Sequence, residues 1–167
     1  MYVHSELRHK PKFQAIGVRW VRGDAVKLDE VTRMFQERKA EIGLGAKLVN
    51  PDKRLGISIH HGELFLVYYM AMEVKNIQSV PEGMVAFTMS AHHYAVHTYE
   101  GSTDAFWKED SDYYSRGNQW MKEQGYEALI SKGVPWFEEF DQPEFAPGQI
   151  VRLQSNVPVY KLVPGFD

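Results

Sequence analysis

Residues 134–141, VPWFEEFD, place two adjacent carboxylates inside a run of aromatic side chains. Successive side chains of a β-strand point to opposite faces. A strand here therefore carries Trp136, Glu138 and Phe140 on one face and directs Glu139 to the other. Removing an ionised carboxylate from water is costly unless a partner compensates for it. Glu138, between two aromatic rings on its own face, is therefore a candidate site residue.

A structural explanation of the same stretch is also available. Edge strands of sheets commonly carry charged residues, which prevent edge-to-edge aggregation, and exposure is the usual state of a glutamate. The strand alone leaves both interpretations open, so the rest of the chain has to decide between them.

The chain around this strand repeats one order of elements. In the first half, alternation of apolar and polar residues predicts a strand over residues 13–21, and apolar spacings of three and four predict a helix over residues 25–42. Two more strands follow. The second half, with a helix predicted over residues 106–124, repeats this β-α-β-β order. The sequence thus predicts an α+β fold with duplicated halves, a mostly antiparallel sheet, two main helices and a ligand cleft between the halves.

The expected strands share short, alternating runs of apolar residues. Besides residues 13–21, they cover residues 55–59, 63–74, 84–89, 94–99, 136–141 and 150–162. The expected domain organisation is a polar lead-in over residues 1–10 and a single domain over residues 11–165. Its halves span about 11–76 and 84–163.

Length and composition narrow the class of protein. The chain has 167 residues, 44% hydrophobic and 25% charged, which is typical of a globular domain. A net charge of −3 with scattered Lys and Arg lacks the basic footprint of a nucleic-acid-binding protein, so no direct nucleic-acid binding is expected. There is no cysteine, no signal-peptide apolar region and no apolar run of the ~20 residues that span a bilayer. A cytoplasmic protein that does not bind a membrane is expected.

Histidine and acidic pairs are the remaining candidates for chemistry. Neighbouring histidines such as His60 and His61 diverge on a strand, and His93 and His97 would lie about 13 Å apart, so no metal is expected. No cofactor-binding motif is present, and no cofactor is expected. The acidic pair at residues 109–110, like that at 138–139, offers an acid and a base. On a strand, however, such neighbours point apart.

Four stretches together resemble a known domain family. They are FQAIGVRW at residues 13–20, LVYYMAMEV at 66–74, the span from VPEGMVAF to HHYAVHTYEG at 80–101, and NQWMKEQGYE at 118–127 followed by WFEEFD. This combination is similar to the GyrI-like small-molecule-binding domain, the effector-binding domain of AraC- and MerR-type multidrug-sensing transcription regulators. The resemblance covers roughly residues 11–162.

The resemblance implies a site. Members of the family consist of two β-α-β-β halves and bind hydrophobic, often cationic compounds in an aromatic cleft that contains a carboxylate. In the family pattern F-E-x-Y/F-D, the position of that carboxylate aligns with Glu138. The position that is usually Tyr aligns with Phe140. Tyr68 matches the first aromatic of Y-Y-x-G-x-E-V, in which Ala71 replaces the usual Gly. Trp120 matches the Trp of W-x-x-x-x-G-Y, although Met121-Lys122 stands in place of Leu-Pro.

The resemblance leads to three functional hypotheses. The first is binding of a small hydrophobic compound, cationic or aromatic, for sensing or sequestration, with contacts from Glu138, Tyr68, Trp120, Trp136 and Phe140. The second is a hydrolase of strained-ring, cyclopropane-type electrophiles, with Glu138 as acid or base. The third is a gyrase-inhibitor-like interaction with an unknown protein partner. Since only about ten residues precede the first predicted strand, a stand-alone form without a helix-turn-helix is expected.

Overall fold

An antiparallel sheet of ten strands is the framework of the fold. A computed structural model describes residues 1–61, 65–106, 108, 112–142 and 148–161. The strands are β1 Tyr2–Lys10, β2 Phe13–Val21, β3 Lys47–Leu48, β4 Arg54–His61, β5 Phe65–Lys75, β6 Val85–Met89, β7 His92–Ser102, β8 Tyr126–Ala128, β9 Trp136–Phe140 and β10 Ile150–Lys161. The helices are α1 Leu28–Arg38, α2 Ile42–Gly45, α3 Thr103–Phe106 and α4 Ser115–Gln124, with 3-10 turns at Lys39–Glu41 and Ile130–Lys132.

The strand order contains two similar halves. It runs β1-β7-β10-β9-β4-β5-β2-β6, with β3 added beside β5 and β8 beside β10. One half is β2-α1-β4-β5 and the other is β7-α4-β9-β10, so the predicted α+β fold with its β-α-β-β order is confirmed. The halves meet where β4 pairs with β9, from Arg54 opposite Phe140 to Ser58 opposite Trp136. We call this β4–β9 pairing the seam.

Both main helices cover the same face of the sheet. Directly paired residues of an antiparallel sheet share a face, and the register links Met70, Gly56, Glu138, Ser155 and His97 across five strands. We call the face with these residues the helix face. Val31 and Phe35 of α1 pack on this face of the first half, and Met121 of α4 packs on it in the second. The seam lies between the two helix packing regions.

The opposite face has its own core. Phe13 of β2, Tyr94 of β7 and Phe137 of β9 come together there although other strands lie between them in the sheet. The Phe13 and Phe137 ring centroids are 5.5 Å apart, and those of Tyr94 and Phe137 are 5.3 Å apart. The sheet must therefore curve around these aromatic side chains.

Residues 1–10 differ from the expected polar lead-in. They form β1, which pairs with β7 from Tyr2 opposite Tyr99 to Lys10 opposite His92. Most of its side chains are exposed or half-buried, because β1 is an outer strand of the sheet. Backbone hydrogen bonds hold such a strand without an apolar side-chain pattern, so alternation did not reveal it.

Both predicted helices are too long at their N-terminal ends. The first begins at Leu28 instead of residue 25, after a turn in which the Asp24 carboxylate accepts a hydrogen bond from the Val21 N–H (3.1 Å). In the described part of the second half, the one long helix is Ser115–Gln124, and it ends at Gly125, whose φ of 76° is left-handed. Residues 63–64 of the strand predicted over 63–74 and the acidic pair at residues 109–110 lie outside the described residues. No helix in the described ranges is long and apolar enough to cross a membrane.

Candidate functional site

The seam buries one carboxylate, that of Glu138. Its side chain is on the helix face of β9, between Trp136 and Phe140, and the residue is only 4% exposed. Burial raises the pKa of its carboxyl, while a hydrogen bond from Tyr113 and the charge of Arg54 lower it, and the net pKa is about 7. The site therefore holds comparable amounts of carboxylate and carboxylic acid at neutral pH.

Tyr113 is the direct partner of this carboxyl group. Its hydroxyl donates a hydrogen bond to Glu138 Oε2. The Tyr113 ring is buried in a cluster with Tyr99 and Phe140, and its centroid is 4.9 Å from that of Tyr99. Burial and the nearby carboxylate raise the pKa of Tyr113 well above its usual value, so the phenol keeps its proton and acts as a donor.

A buried cation accompanies the carboxylate. Arg54, at the start of β4, is 5% exposed, and its guanidinium carbon is 4.7 Å from the centroid of the Phe140 ring. Burial lowers the pKa of Arg54, whereas electrostatic interactions with Tyr68 and with the Glu138 carboxylate raise it. Guanidinium groups stay protonated in proteins, so Arg54 offsets part of the charge that Glu138 brings into the sheet.

Tyr68 reaches the site from β5 across the intervening strand. Its hydroxyl lies over Gly56 of β4, which is the residue paired with Glu138. Burial and the charge of Glu138 raise the pKa of Tyr68, and Arg54 lowers it. A second phenol donor thus lies within electrostatic range of the carboxylate.

A cavity of about 60 Å³ opens beside these residues on the second half. Trp136, Tyr114 and His97 contribute to its lining. Two of its buried polar atoms, Trp136 Nε1 and His97 Nε2, have no hydrogen-bond partner among the described residues. His97 Nδ1 is 2.7 Å from Ser5 Oγ, and burial lowers the pKa of His97 to about 4, so its imidazole is neutral.

The predicted site residues separate into two groups. Glu138, Trp136 and Tyr68 lie together on the helix face at the seam. Phe140 shares that face, but its ring is buried under Arg54 in the Tyr113 cluster. Trp120 is on α4, where its ring stacks on Tyr126 and meets the edge of His97. Trp120 therefore connects to the cavity through His97 and through the cluster with Met121 and Val157, which also line it.

Glu139 points away from this site. It is on the opposite face of β9, where its carboxylate is 3.0 Å from Lys53 Nζ. The structure gives Glu139 a half-buried position in an ion pair.

Sequence reasoning missed Tyr113 and Arg54. Tyr113 lies inside the range of the overextended helix, residues 106–124. Arg54 leads the strand pattern R-L-G-I-S, in which Arg54, Gly56 and Ser58 share one face. The alternation of these three residues with buried Leu55 and Ile57 is the sequence feature that could have indicated Arg54. Within the described part of the chain, no group of three or more His, Cys, Asp or Glu side chains is arranged to hold a metal ion.

Comparisons with known proteins agree with this architecture. The sequence profile of the integron-associated effector-binding protein family matches residues 6–156. No curated protein gives a significant match.

Several solved structures share the fold. The C-terminal domain of EcmrR superposes with a TM-score of 0.67 at 15% identity, covering 97% of this chain and 99% of that one. SAV2435, solved bound to tetraphenylphosphonium, gives 0.62 at 16% identity, with 93% and 94% covered. A hydrolase from Listeria innocua gives 0.59 at 10% identity, with 93% and 91% covered.

Proposed function

Because the chain belongs to the family of integron-associated effector-binding proteins, we propose that it binds a lipophilic organic cation at the seam. Glu138 is the electrostatic anchor of this site. Trp136 and Tyr68 supply aromatic surface, and a cation over such a ring gains about 0.5–2 kcal/mol. Tetraphenylphosphonium, the ligand bound in the similar SAV2435 structure, belongs to this chemical class.

The burial of Glu138 among aromatic residues carries the proposal. A buried carboxylate that its partners compensate only in part is unfavourable, and the raised pKa of Glu138 expresses that penalty. A cationic ligand restores the attraction that water would otherwise supply, and its apolar body suits the surrounding rings. Ligands of this kind therefore match both the charge and the surface of the site.

Access to the carboxylate requires rearrangement. The cavity of about 60 Å³ is far below the roughly 300–1,000 Å³ of sites for drug-sized ligands. Tyr114 is 53% exposed, and its ring lies edge-on to Trp136 with centroids 6.1 Å apart. We expect the ligand to displace Tyr114 and to replace the Tyr113 hydroxyl as the partner of Glu138.

A charge-matched pair of ligands tests the proposal. Tetraphenylphosphonium and tetraphenylborate have nearly the same shape and opposite charges, so calorimetry with both separates charge from hydrophobic contact. We expect the cation to bind and the anion not to bind. Glu138→Gln should weaken cation binding at least tenfold, whereas Glu139→Gln, on the other face, should leave it unchanged. Equal binding of both ions, or unchanged binding by Glu138→Gln, would refute the anchor.

A chemical readout separates binding from hydrolysis. The same carboxyl, with a pKa of about 7, has the properties of a general acid or base, which is the second hypothesis for this site. Incubation with cyclopropane-bearing electrophiles, followed by mass spectrometry, should return the compounds intact. Products that are heavier than the compounds by one water, and that do not form with Glu138→Gln, would instead establish hydrolysis.

A further inference from the structure

Two histidines face each other on the outer strand pair of the sheet. His9 of β1 is directly opposite His93 of β7 in the antiparallel register, and their ring centroids are 5.0 Å apart. Spacing along one strand, which argues against a metal at His93 and His97, does not report this cross-strand pair. The two residues are 84 positions apart in sequence, so only the pairing of β1 with β7 brings their imidazole rings together.

Both imidazole rings are accessible to a ligand. The side chains of His9 and His93 are exposed. Neither forms a hydrogen bond or an ion pair with another residue in the part of the chain that the structure describes. They differ in this from His97, which is buried and has its Nδ1 atom 2.7 Å from Ser5 Oγ. The nitrogens of the outer pair are therefore not committed to the protein.

The separation of the two rings fits a shared metal ion. An imidazole nitrogen binds zinc at about 2.0–2.1 Å and lies about 1.1 Å from the centre of its ring. Two imidazoles on one ion, at angles of about 90–109°, thus have centroids about 4.5–5.2 Å apart. The observed distance of 5.0 Å is within this range. Since both side chains are exposed, rotation about χ2 turns one nitrogen of each ring towards a common point without backbone movement.

The charges around this pair do not repel a metal ion. The flanking pair on the same face is Leu7 opposite Ala95, and neither residue is charged. Arg8 and Lys10 point to the opposite face, because side chains alternate along a strand. Each of these two cations also forms an ion pair with a glutamate. A bound dication would therefore meet uncharged neighbours on its own face of β1 and β7.

We propose that His9 and His93 form an open site for a divalent transition-metal ion. Imidazole nitrogens suit Cu²⁺, Ni²⁺ and Zn²⁺, whereas Mg²⁺ takes oxygen ligands. The general order of affinities places Cu²⁺ above both Ni²⁺ and Zn²⁺. Two protein ligands leave the other coordination positions to water or to an external ligand. The ion adds a side-chain link to the backbone hydrogen bonds that join β1 to β7.

Calorimetry with Cu²⁺, Ni²⁺ and Mg²⁺ on the untagged full chain tests the inference. We expect one Cu²⁺ per chain with micromolar affinity, weaker Ni²⁺ binding and no Mg²⁺ binding. His9→Ala and His93→Ala should each weaken Cu²⁺ binding at least tenfold, because each removes one of two ligands. His4→Ala is the matched control, since His4 is an exposed histidine of β1 on the opposite face, and it should bind like the original protein.

Three calorimetric results would overturn the inference. The first is no Cu²⁺ binding by the original protein at micromolar concentration. The second is undiminished binding by either His9→Ala or His93→Ala, which would show that the ion does not need both rings. The third is an equal loss of binding in His4→Ala, which would place the ion elsewhere on β1.

Thermal unfolding tests whether the two strands hold the same ion. An ion bound only where β1 pairs with β7 stabilises the folded state, so saturating Ni²⁺ should raise Tm by about 5 °C. His9→Ala and His93→Ala should lose this rise. Without metal, their Tm should stay close to that of the original protein, because both positions are exposed. A rise retained by either variant, or no rise in the original protein, would contradict a link between the strands.

The metal site and the proposed site at the seam fail separately. Strands β7 and β10 lie between β1 and the Glu138 strand β9. Glu138→Gln should therefore leave Cu²⁺ binding unchanged, and His9→Ala should leave tetraphenylphosphonium binding unchanged. Loss of Cu²⁺ binding in Glu138→Gln would place the ion at the carboxylate and refute the histidine site. Failure of tetraphenylphosphonium to bind would refute the proposed function alone.

Discussion

The hydroxyl of Tyr68 lies directly over Gly56, because a Cβ atom built on that glycine would be 2.2 Å from Tyr68 Oη. Gly56 is also the residue opposite Glu138 in the seam. The missing side chain therefore creates the space through which a tyrosine of β5 crosses β4 towards the carboxylate of β9.

Gly56→Ala should displace Tyr68 from the site. The added methyl group overpacks the seam, for which a destabilisation of about 1–3 kcal/mol is typical. Affinity for tetraphenylphosphonium should fall several-fold, because the ring leaves the carboxylate. Urea denaturation and calorimetry measure the two effects. Gly43→Ala is the matched control, since its new Cβ meets only the tip of Leu48 at 3.3 Å, and it should change neither quantity appreciably. Unaltered binding by Gly56→Ala would contradict this role of Tyr68.

Glu138→Gln should become increasingly stabilising as pH rises. The carboxyl pKa is about 7 in the folded protein and 4.5 in its ordinary state. The folded protein therefore binds more protons than the unfolded chain in this range. The stability that protonated Glu138 contributes is fully present below pH 4.5 and is lost as pH rises through 7.

The size of this effect follows from the same pKa values. The stability difference between Glu138→Gln and the original protein should change by up to about 3 kcal/mol between pH 4 and pH 8. Urea denaturation across this range measures it. A difference that is independent of pH would show that Glu138 titrates normally.

Cation binding should strengthen with pH. Only the ionised form of Glu138 attracts a cation, and with a pKa of about 7 this form falls from about half at pH 7 to about one hundredth at pH 5. Affinity for tetraphenylphosphonium should therefore drop about 50-fold between these values and level off above pH 8. In Glu138→Gln the residual binding should not follow this curve. The same slope in both proteins would assign the titration to another group.

Tyr113→Phe should raise the pKa of Glu138 above 7. The Tyr113 hydrogen bond favours the carboxylate and lowers the pKa of Glu138, so its removal leaves desolvation less opposed. NMR titration of the ¹³C-labelled Glu carboxyl carbons reports this pKa. Tyr99→Phe, in the same aromatic cluster, is the control and should shift it less. A lowered pKa in Tyr113→Phe would rule out the donor role.

Local patterns predicted most of the architecture. The duplicated order was readable because alternation in β2, β4 and β5 and the apolar stripe of α1 each extend over many residues. The resemblance to effector-binding domains is confirmed by the family profile and the shared fold. β1 was missed because its pairing with β7 uses backbone groups. The second helix was overextended because Phe106 and Tyr113 occur at helical spacing but are buried against Tyr99 of β7.

The sequence predicted only the part of the site that lies on β9. Alternation along β9 placed Glu138 and Trp136 on one face, as the structure does. Glu138 interacts with Tyr113 and Arg54, which lie 25 and 84 positions away in sequence. The periodicity of a sequence does not indicate such long-range partners. Trp120 matched a family position, but its ring is held by the local stack with Tyr126. Its role as a ligand contact stays a prediction.

The seam joins two halves that have the same β-α-β-β order but contribute different side chains to it. The first half contributes the cation Arg54 and the side-chain-free Gly56, and the second contributes the anion Glu138. Two halves with the same element order thus enclose a directional electric field. For the proposed cation ligand, this field favours one orientation, with the charged end at the second half and the apolar body over Gly56. The proposed function therefore has one cation site in the duplicated fold, not two equivalent ones.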